Sequence, residues 1–210
     1  MNYILTSLIS YLLGSFNIAY LVSKAHGFDI RETGSRNAGA SNMKVNFGWG
    51  AGIMTCLIDM LKAIVAMKLC ACLFPNDEVI PALAGAMTIV GHIYPFYMGF
   101  HGGKGFASYI GMLLGLNWKF ALAIMALTAV VTLLSNYIVV GTLTTMVAVP
   151  LYLIISKANI YVTLIVSAVS ALIVYKHRIN IKRIINREEI VVFDRSKKKQ
   201  QKDDSSRKDN

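Results

Sequence analysis

Long apolar stretches alternate with short polar breaks along most of the chain, and this pattern predicts an all-α protein whose helices span a membrane. Seven such stretches follow one another, at about residues 3–23, 49–74, 79–98, 106–116, 120–135, 137–155 and 160–175. The fourth has only about eleven residues, too few for an upright helix through about 30 Å of hydrocarbon. We therefore expect it to be tilted, partly re-entrant or shielded by its neighbours.

The composition agrees with a membrane protein. Of the 210 residues, 55% are hydrophobic and only 15% are charged, and the mean hydropathy is +0.54. These values exclude an ordinary soluble domain. The three cysteines all lie in the second apolar stretch, where an odd number predicts neither a disulfide framework nor a zinc site. The first residues lack a basic leader and a cleavage site, so we expect a retained first span.

The distribution of positive charge predicts the orientation in the membrane. The loops on one side contain only Lys119 and Lys157. The loops on the other side, which also carries the basic tail, contain Lys24, Arg31, Arg36, Lys44 and Lys104. The positive-inside rule then places the N-terminus outside and the C-terminus in the cytoplasm. The predicted organisation is a seven-helix membrane domain over residues 1–193 and a disordered basic tail at residues 194–210. The net charge of +10 indicates a membrane surface, not nucleic acid.

A polar stretch between the first two spans, residues 34–42, is a candidate binding loop that we call the nonapeptide loop. Its glycines permit positive φ and a close approach of ligand to backbone, and its side chains add hydroxyl, amide and guanidinium donors. Successive backbone N–H groups in such a loop form a concavity suited to phosphate. The alternative is a flexible linker, because these residue types are common in turns. The candidate residues are Gly34, Ser35, Arg36, Asn37, Gly39, Ser41 and Asn42.

A second candidate phosphate site is the glycine loop, residues 99–105, which reads Gly-Phe-His-Gly-Gly-Lys-Gly. Lys104 follows Gly102 and Gly103 at the start of a predicted helix, where backbone N–H groups favour an anion. The loop is not a P-loop, because Gly105 stands where a Ser or Thr would bind magnesium. A flexible turn with a solvated lysine is the alternative.

Charged residues within the spans form a third feature. Asp59 and Lys62 lie three residues apart and share a helix face. Charges at membrane depth rarely face lipid, so this pair either supports a site or docks the helix on its neighbours. His92, near the end of the third span, is expected to be packed and hydrogen-bonded. No group of His, Cys, Asp or Glu residues has the spacing of metal ligands along the chain. We therefore predict that the protein uses no metal and no other cofactor.

A basic segment follows the last span and contains His177, Arg178 and Asn180. Such a cluster usually anchors lipid headgroups. Here the same side of the membrane already holds two loops suited to phosphate. His177 and Asn180 are also spaced to share one helix face and to reach a substrate together.

These motifs resemble the bacterial membrane glycerol-3-phosphate acyltransferases that use acyl phosphate as donor. The resemblance rests on residues 34–42, on residues 91–95 with residues 99–105, and on residues 177–183, with Asp59 and Lys62 in the second span. It covers about residues 4–187. The histidine–aspartate pair of the coenzyme-A-dependent acyltransferases is absent, because no histidine in the chain has an aspartate five residues on.

The resemblance implies transfer of a fatty acyl group to the sn-1 hydroxyl of glycerol 3-phosphate at the cytoplasmic face of the bacterial plasma membrane, yielding lysophosphatidic acid and phosphate. It implies catalytic roles for Ser35, Lys104, His177 and Asn180, and supporting roles for Asp59, Lys62 and His92. It also implies substrate binding by the remaining candidates of the nonapeptide loop and by Lys44, Gly102, Gly103 and Thr142. The implied partners are both substrates, membrane lipids and, functionally, the enzyme that supplies acyl phosphate.

Several positions depart from the family pattern. Val45, beside Lys44, stands where the family has an arginine, and Val139 and Thr142 replace a serine pair. Arg36 and Ala38 replace a glycine and a proline. These departures concern acceptor recognition, so a divergent enzyme with another polyol-phosphate acceptor is one alternative. A transporter is the other, although such folds often show inverted repeats, and none is found in this sequence.

Overall fold

The computed structural model describes residues 1–193 and is all-α over that range, as predicted. The helices are α1 (Asn2–Ser15), α2 (Ile18–Ala25), α3 (Ala40–Phe47), α4 (Trp49–Leu73), α5 (Val79–Ile93), α6 (Phe106–Leu116), α7 (Trp118–Ser135), α8 (Ile138–Ile155), α9 (Ile160–Lys176) and α10 (Arg178–Ile185). A short 3₁₀ turn, Phe96–Met98, follows α5. The predicted tail at residues 194–210 lies outside the described residues.

Membrane-spanning character is clear for part of the bundle. Within residues 1–193, four helices, counting α1 with α2 and α5 with its 3₁₀ turn, are long and apolar enough to cross a bilayer, and a fifth is added if α9 and α10 form one bent span. The predicted seven crossings and their orientation remain predictions. The α4 helix has 25 residues, but Asp59, Lys62 and Lys68 lower its apolar character. The α6 helix has the 11 residues expected from the sequence, and its middle is buried against α4 and α5.

Small residues let the central helices approach closely. α5 packs against α1, α4, α6 and α9. A Cβ added at Gly14 of α1 would overlap the Thr88 backbone of α5, and one at Gly91 would overlap the Tyr11 carbonyl group. A Cβ at Gly111 of α6 would likewise overlap the Met60 carbonyl of α4. Such contacts replace the hydrophobic driving force that is missing between helices in lipid.

The structure refines three of the predicted boundaries. The first span breaks at Asn17, whose side chain caps α2 by accepting from the Tyr20 N–H at 2.9 Å. The nonapeptide loop is loop only to Gly39, since its last three residues begin α3. The basic segment after α9 is helical as α10. Asn136, the single residue between the fifth and sixth predicted apolar stretches, forms a tight turn between α7 and α8 with a left-handed φ of 65°.

Candidate active site

The buried side chain of Asn42 determines the shape of the nonapeptide loop. Its Nδ2 donates to the carbonyl oxygens of Ile30 at 2.7 Å and Thr33 at 3.0 Å, and its Oδ1 accepts from the Ser35 N–H at 2.9 Å. A Cβ at Gly34, where φ is +52°, would overlap that Oδ1. Asn42, predicted to contact substrate, is fully buried, so this prediction is corrected to a role in shaping the loop.

The other polar side chains of this loop lie nearer to solvent. Arg36 and Ser41 are exposed, and Ser35 and Asn37 are half-buried. Arg36 has a φ of 59°, a left-handed conformation that usually favours glycine. Gly39 is buried, and its N–H donates to the Asn37 carbonyl at 3.0 Å. The sequence prediction is therefore kept for the side chains of Ser35, Arg36, Asn37 and Ser41.

Asn17, at the break between α1 and α2, attaches the nonapeptide loop to the bundle. Its Nδ2 donates to the Ala38 carbonyl at 3.1 Å, and its backbone N–H donates to the Tyr97 hydroxyl at 3.0 Å. The Tyr97 hydroxyl in turn donates to the Ser15 carbonyl at 2.9 Å. Sequence reasoning missed this role, because a single asparagine in an apolar stretch signals only a helix break.

An ion pair outside the spans connects the two candidate loops. The Asp29 carboxylate accepts from the Arg31 guanidinium at 3.0 and 2.8 Å, while Arg31 Nη1 donates to the Met98 carbonyl at 2.7 Å. The hydrogen bonds from Arg31 hold the pKa of Asp29 at about 2, against the opposing effect of burial. Arg31 thus joins the segment before the nonapeptide loop to the segment before the glycine loop.

The glycine loop is fastened to the end of α5 through its backbone. The N–H of Gly102 donates to the Ile93 carbonyl at 3.0 Å, and that of Gly103 donates to the His92 carbonyl at 3.1 Å. The N–H groups of both glycines are therefore used within the protein, and substrate binding at Gly102 and Gly103 stays a prediction. A Cβ at Gly103 would overlap the His92 ring and approach the Ala38 carbonyl oxygen. Gly103 is the point where the two loops meet.

Asp59, Lys62 and His92 form a buried charged trio behind the glycine loop. Lys62 Nζ lies 2.7 Å from Asp59 Oδ1 and 2.8 Å from His92 Nδ1, and it donates to the Phe16 carbonyl at 2.9 Å. His92 Nδ1 lies 3.2 Å from the same Asp59 oxygen. His92 is packed and hydrogen-bonded, as predicted. Because the opposite edge of its ring faces Gly103, the trio supports the loop as well as docking α4 on α1 and α5.

Lys104 joins the glycine loop to α10. Its Nζ donates to Asn180 Oδ1 at 2.5 Å, and Asn180 Nδ2 donates to the Glu189 carboxylate at 2.9 and 3.0 Å. Burial lowers the pKa of Lys104 to about 8; Glu189 acts to raise it, and Arg183 and Lys176 act to lower it. Glu189 was not among the residues identified from sequence, since nothing in its spacing distinguishes it from Glu188.

His177 lies at the junction of α9 and α10 and is buried. Its Nδ1 lies 2.8 Å from the Ile173 carbonyl oxygen, which only accepts hydrogen bonds. The proton is therefore assigned to Nδ1, and in the neutral ring Nε2 is an acceptor. Burial lowers the pKa of this ring, and the positive charge of Lys104 acts in the same direction.

Some predicted residues lie apart from this centre. Lys44 Nζ lies 3.5 Å above the Trp49 ring. Val45 is 57% exposed and approaches the position of a Gly34 Cβ to 3.3 Å. The Thr142 hydroxyl is buried in α8 and donates to the Ile138 carbonyl at 3.1 Å. None of the hydrogen bonds found in residues 1–193 joins Thr142 to either candidate loop.

The described residues form no cluster of metal ligands. Within residues 1–193, no three His, Cys, Asp or Glu side chains are grouped so that they could hold a metal ion. The three cysteines are free.

The chain is similar to known proteins over nearly its whole length. The family model described as glycerol-3-phosphate acyltransferase matches residues 4–187. A glycerol-3-phosphate acyltransferase 1 from Oceanobacillus iheyensis is 36% identical over 198 residues, which cover 90% of this chain and 94% of that relative. A glycerol-3-phosphate acyltransferase from Desulfotalea psychrophila is 38% identical over 181 residues, or 85% of this chain and 92% of that relative.

Two solved structures agree with these sequence matches. The crystal structure of PlsY (YgiH), an integral membrane glycerol 3-phosphate acyltransferase, in its glycerol 3-phosphate form has a TM-score of 0.85 at 27% identity, covering 92% of this chain and 96% of that one. Its lysophosphatidic acid form has a TM-score of 0.82. With the match spanning residues 4–187 and the motifs meeting in one site, this chain is a multi-pass membrane protein that belongs to the glycerol-3-phosphate acyltransferase family.

Proposed function

We propose that this glycerol-3-phosphate acyltransferase takes its acyl group from an acyl phosphate and transfers it to the sn-1 hydroxyl. The hydroxyl oxygen forms a bond to the acyl carbonyl carbon, the bond from that carbon to the phosphate oxygen breaks, and lysophosphatidic acid and inorganic phosphate result. The observation that carries the proposal is the convergence of the nonapeptide loop, the glycine loop and the α9–α10 junction around Gly103 and Lys104.

Acyl phosphate is a mixed anhydride with a good leaving group, so the protein needs mainly to position two phosphates and one carbonyl group. Correct positioning together with fixed charges and dipoles lowers much of the barrier to such a transfer. In this scheme the exposed side of the nonapeptide loop, with Ser35, Arg36, Asn37 and Ser41, binds the donor phosphate. Lys104 neutralises phosphate charge beside it.

His177 and Asn180 hold the acceptor in this scheme. The Nε2 of a neutral His177 accepts the proton that the attacking hydroxyl loses. The Asn180 amide, fixed between Lys104 and Glu189, orients the acceptor beside the ammonium group. Both phosphates lie at the cytoplasmic face of the plasma membrane, while the acyl chain remains in lipid.

A different polyol phosphate is the second candidate acceptor. It is favoured by Val45, which presents an exposed apolar side chain beside Gly34. A valine offers no charge to the phosphate of an acceptor, and this changes which acceptor is held best.

The test is phosphate release from palmitoyl phosphate by the purified protein in lipid vesicles. We expect release that depends on glycerol 3-phosphate and is matched by lysophosphatidic acid formation. Release with another polyol phosphate, but not with glycerol 3-phosphate, would support the second acceptor. Absence of transfer with every acceptor would refute both.

A further inference from the structure

Glu189 lies beside the proposed site on the segment that follows α10. Both of its carboxylate oxygens accept from Asn180 Nδ2, at 2.9 and 3.0 Å, and Asn180 Oδ1 accepts from Lys104. Lys104 of the glycine loop, Asn180 of α10 and Glu189 of the segment after α10 form one line of hydrogen bonds.

The carboxylate determines which way the Asn180 amide points. A carboxylate only accepts hydrogen bonds and an ammonium group only donates them. The amide therefore satisfies both neighbours in one orientation, with Nδ2 toward Glu189 and Oδ1 toward Lys104. In the flipped orientation Asn180 Oδ1 would face the Glu189 carboxylate, where both groups are acceptors. Asn180 Nδ2 would face the Lys104 ammonium, where both groups are donors. Without Glu189, only the hydrogen bond from Lys104 would hold the amide in this orientation.

The carboxylate also changes the electrostatic surroundings of Lys104. Burial disfavours the charged ammonium, and the positive charges of Arg183 and Lys176 act in the same direction. His177 is a further titratable neighbour. Among the charged groups of residues 1–193 that act on Lys104, Glu189 is the one that favours the protonated form.

We propose that Glu189 is a positioning residue for acyl transfer, which holds the Asn180 amide with its oxygen toward Lys104 and offsets the positive charge around that lysine. The inference rests on the proposed function for the role of Lys104. Glu189 itself is not required to touch substrate.

The α7–α8 turn holds the segment that carries Glu189. The Val192 N–H donates to the Asn136 carbonyl at 3.0 Å, and the Phe193 N–H donates to Asn136 Oδ1 at 2.8 Å. Asn136 Nδ2 donates to the Phe193 carbonyl at 3.0 Å. This attachment gives a second way to displace Glu189 without changing the site.

The experiment compares Glu189→Gln with wild type and with Glu188→Gln, which removes the charge of the exposed neighbouring glutamate. The first readout is the pH dependence of Lys104 acetylation by acetic anhydride, followed by mass spectrometry. The second is the pH profile of kcat/KM. In Glu189→Gln we expect the Lys104 titration and the alkaline limb of kcat/KM to move to lower pH by about one unit. Glu188→Gln should move neither.

Glu189→Ala separates the two parts of the proposal, since glutamine can still accept from Asn180 and alanine cannot. We expect the same shift in titration with a further fall in kcat. If Glu189→Gln does not fold, Asn136→Gly tests the same point, because glycine keeps the left-handed turn and loses both side-chain bonds to Phe193. A smaller shift in the same direction is expected.

An unchanged Lys104 titration in a folded Glu189→Gln, or in Asn136→Gly if the former is unfolded, would overturn the proposal. A shift of equal size in Glu188→Gln would do the same. The acetylation readout needs no substrate. A wild type without transfer would therefore refute the proposed function, while the role of Glu189 would still be decided by the titration.

Discussion

The backbone N–H of Gly103 donates to the carbonyl oxygen of His92 across 3.1 Å, while the Gly103 Cα faces the ring of the same histidine. The other edge of that ring contacts Lys62 and Asp59. One histidine therefore connects charges within α4 to the loop that carries Lys104. Through this histidine, an ion pair in the middle of α4 is linked to the loop that follows α5.

Gly103→Ala is expected to lower both stability and activity. The new Cβ would overlap the His92 ring and crowd the Ala38 carbonyl, and overpacking of this kind costs about 1–3 kcal/mol. A displacement of about 1 Å between the two loops would lower the rate about a hundredfold. Thermal unfolding and initial rates measure the two effects. Gly50→Ala is the control, since a Cβ there meets open space; equal behaviour of the two variants would contradict the prediction.

Lys104→Ala should remove most acyl transfer and leave the protein folded. We expect the rate to fall by about 10²–10³, the usual loss when one preorganised donor is removed. The fold should persist because Lys104 lies in a loop and is only half-buried. Lys119→Ala, which removes an exposed lysine next to Trp118, should keep the wild-type rate. A fully active Lys104→Ala would remove the glycine loop from the site.

Activity should fall as the pH rises through about 8. Burial lowers the pKa of Lys104 to that value, so the ammonium is charged below it and neutral above it. If the protonated form binds phosphate, kcat/KM has an alkaline limb near pH 8. Arginine stays charged throughout this range. Any residual activity of Lys104→Arg should therefore show no fall in kcat/KM near pH 8. A fall that persists in this variant would mean that a group other than Lys104 causes it.

His177→Ala should impair use of glycerol 3-phosphate, through a raised KM, a lowered kcat or both. The binding of acyl phosphate should be largely spared, because that role falls to the nonapeptide loop. His26→Ala is a close control: His26 Nδ1 also lies 2.8 Å from the carbonyl oxygen four residues before it, but the side chain is exposed. Initial rates against each substrate distinguish the two effects, and equal loss of both functions would argue against the assignment.

Val45→Arg should strengthen acceptor use if the acceptor phosphate lies near the nonapeptide loop. The position is exposed beside Gly34, and a guanidinium can hold phosphate through two hydrogen bonds, which a point charge such as Lys44 cannot. We expect a lower KM for glycerol 3-phosphate in the variant. A wild type without transfer, unchanged by Val45→Arg, would indicate a different acceptor.

Metal chelation should leave the rate unchanged. The described part of the chain offers no grouping of ligands for a metal ion, and we assign the phosphate charge to Lys104 and the side chains of the nonapeptide loop. Initial rates with and without EDTA check this. Activity that is lost in EDTA and restored by a divalent cation would disprove it.

The sequence by itself determined where the long apolar helices lie along the chain. The second apolar stretch was predicted at residues 49–74 and forms α4 at Trp49–Leu73, and the short fourth stretch forms α6 with the predicted bounds. The one residue that the sequence leaves between the fifth and sixth stretches, Asn136, is the residue that turns the chain from α7 to α8. These features depend on the length of an apolar run and on local φ preferences, which neighbouring residues determine.

Only the tertiary structure decided what several site residues do. From the sequence we predicted that Asn42 binds substrate, but its buried amide donates hydrogen bonds to backbone carbonyl groups of the surrounding loop. Gly103 reads as part of a phosphate loop, but the space beside it is filled by His92. Lys104 meets Asn180 across 76 positions of sequence, and Asn180 binds Glu189. A buried polar group must find a partner, but which partner it finds depends on how the helices pack, and the spacing of residues along the chain does not contain that information.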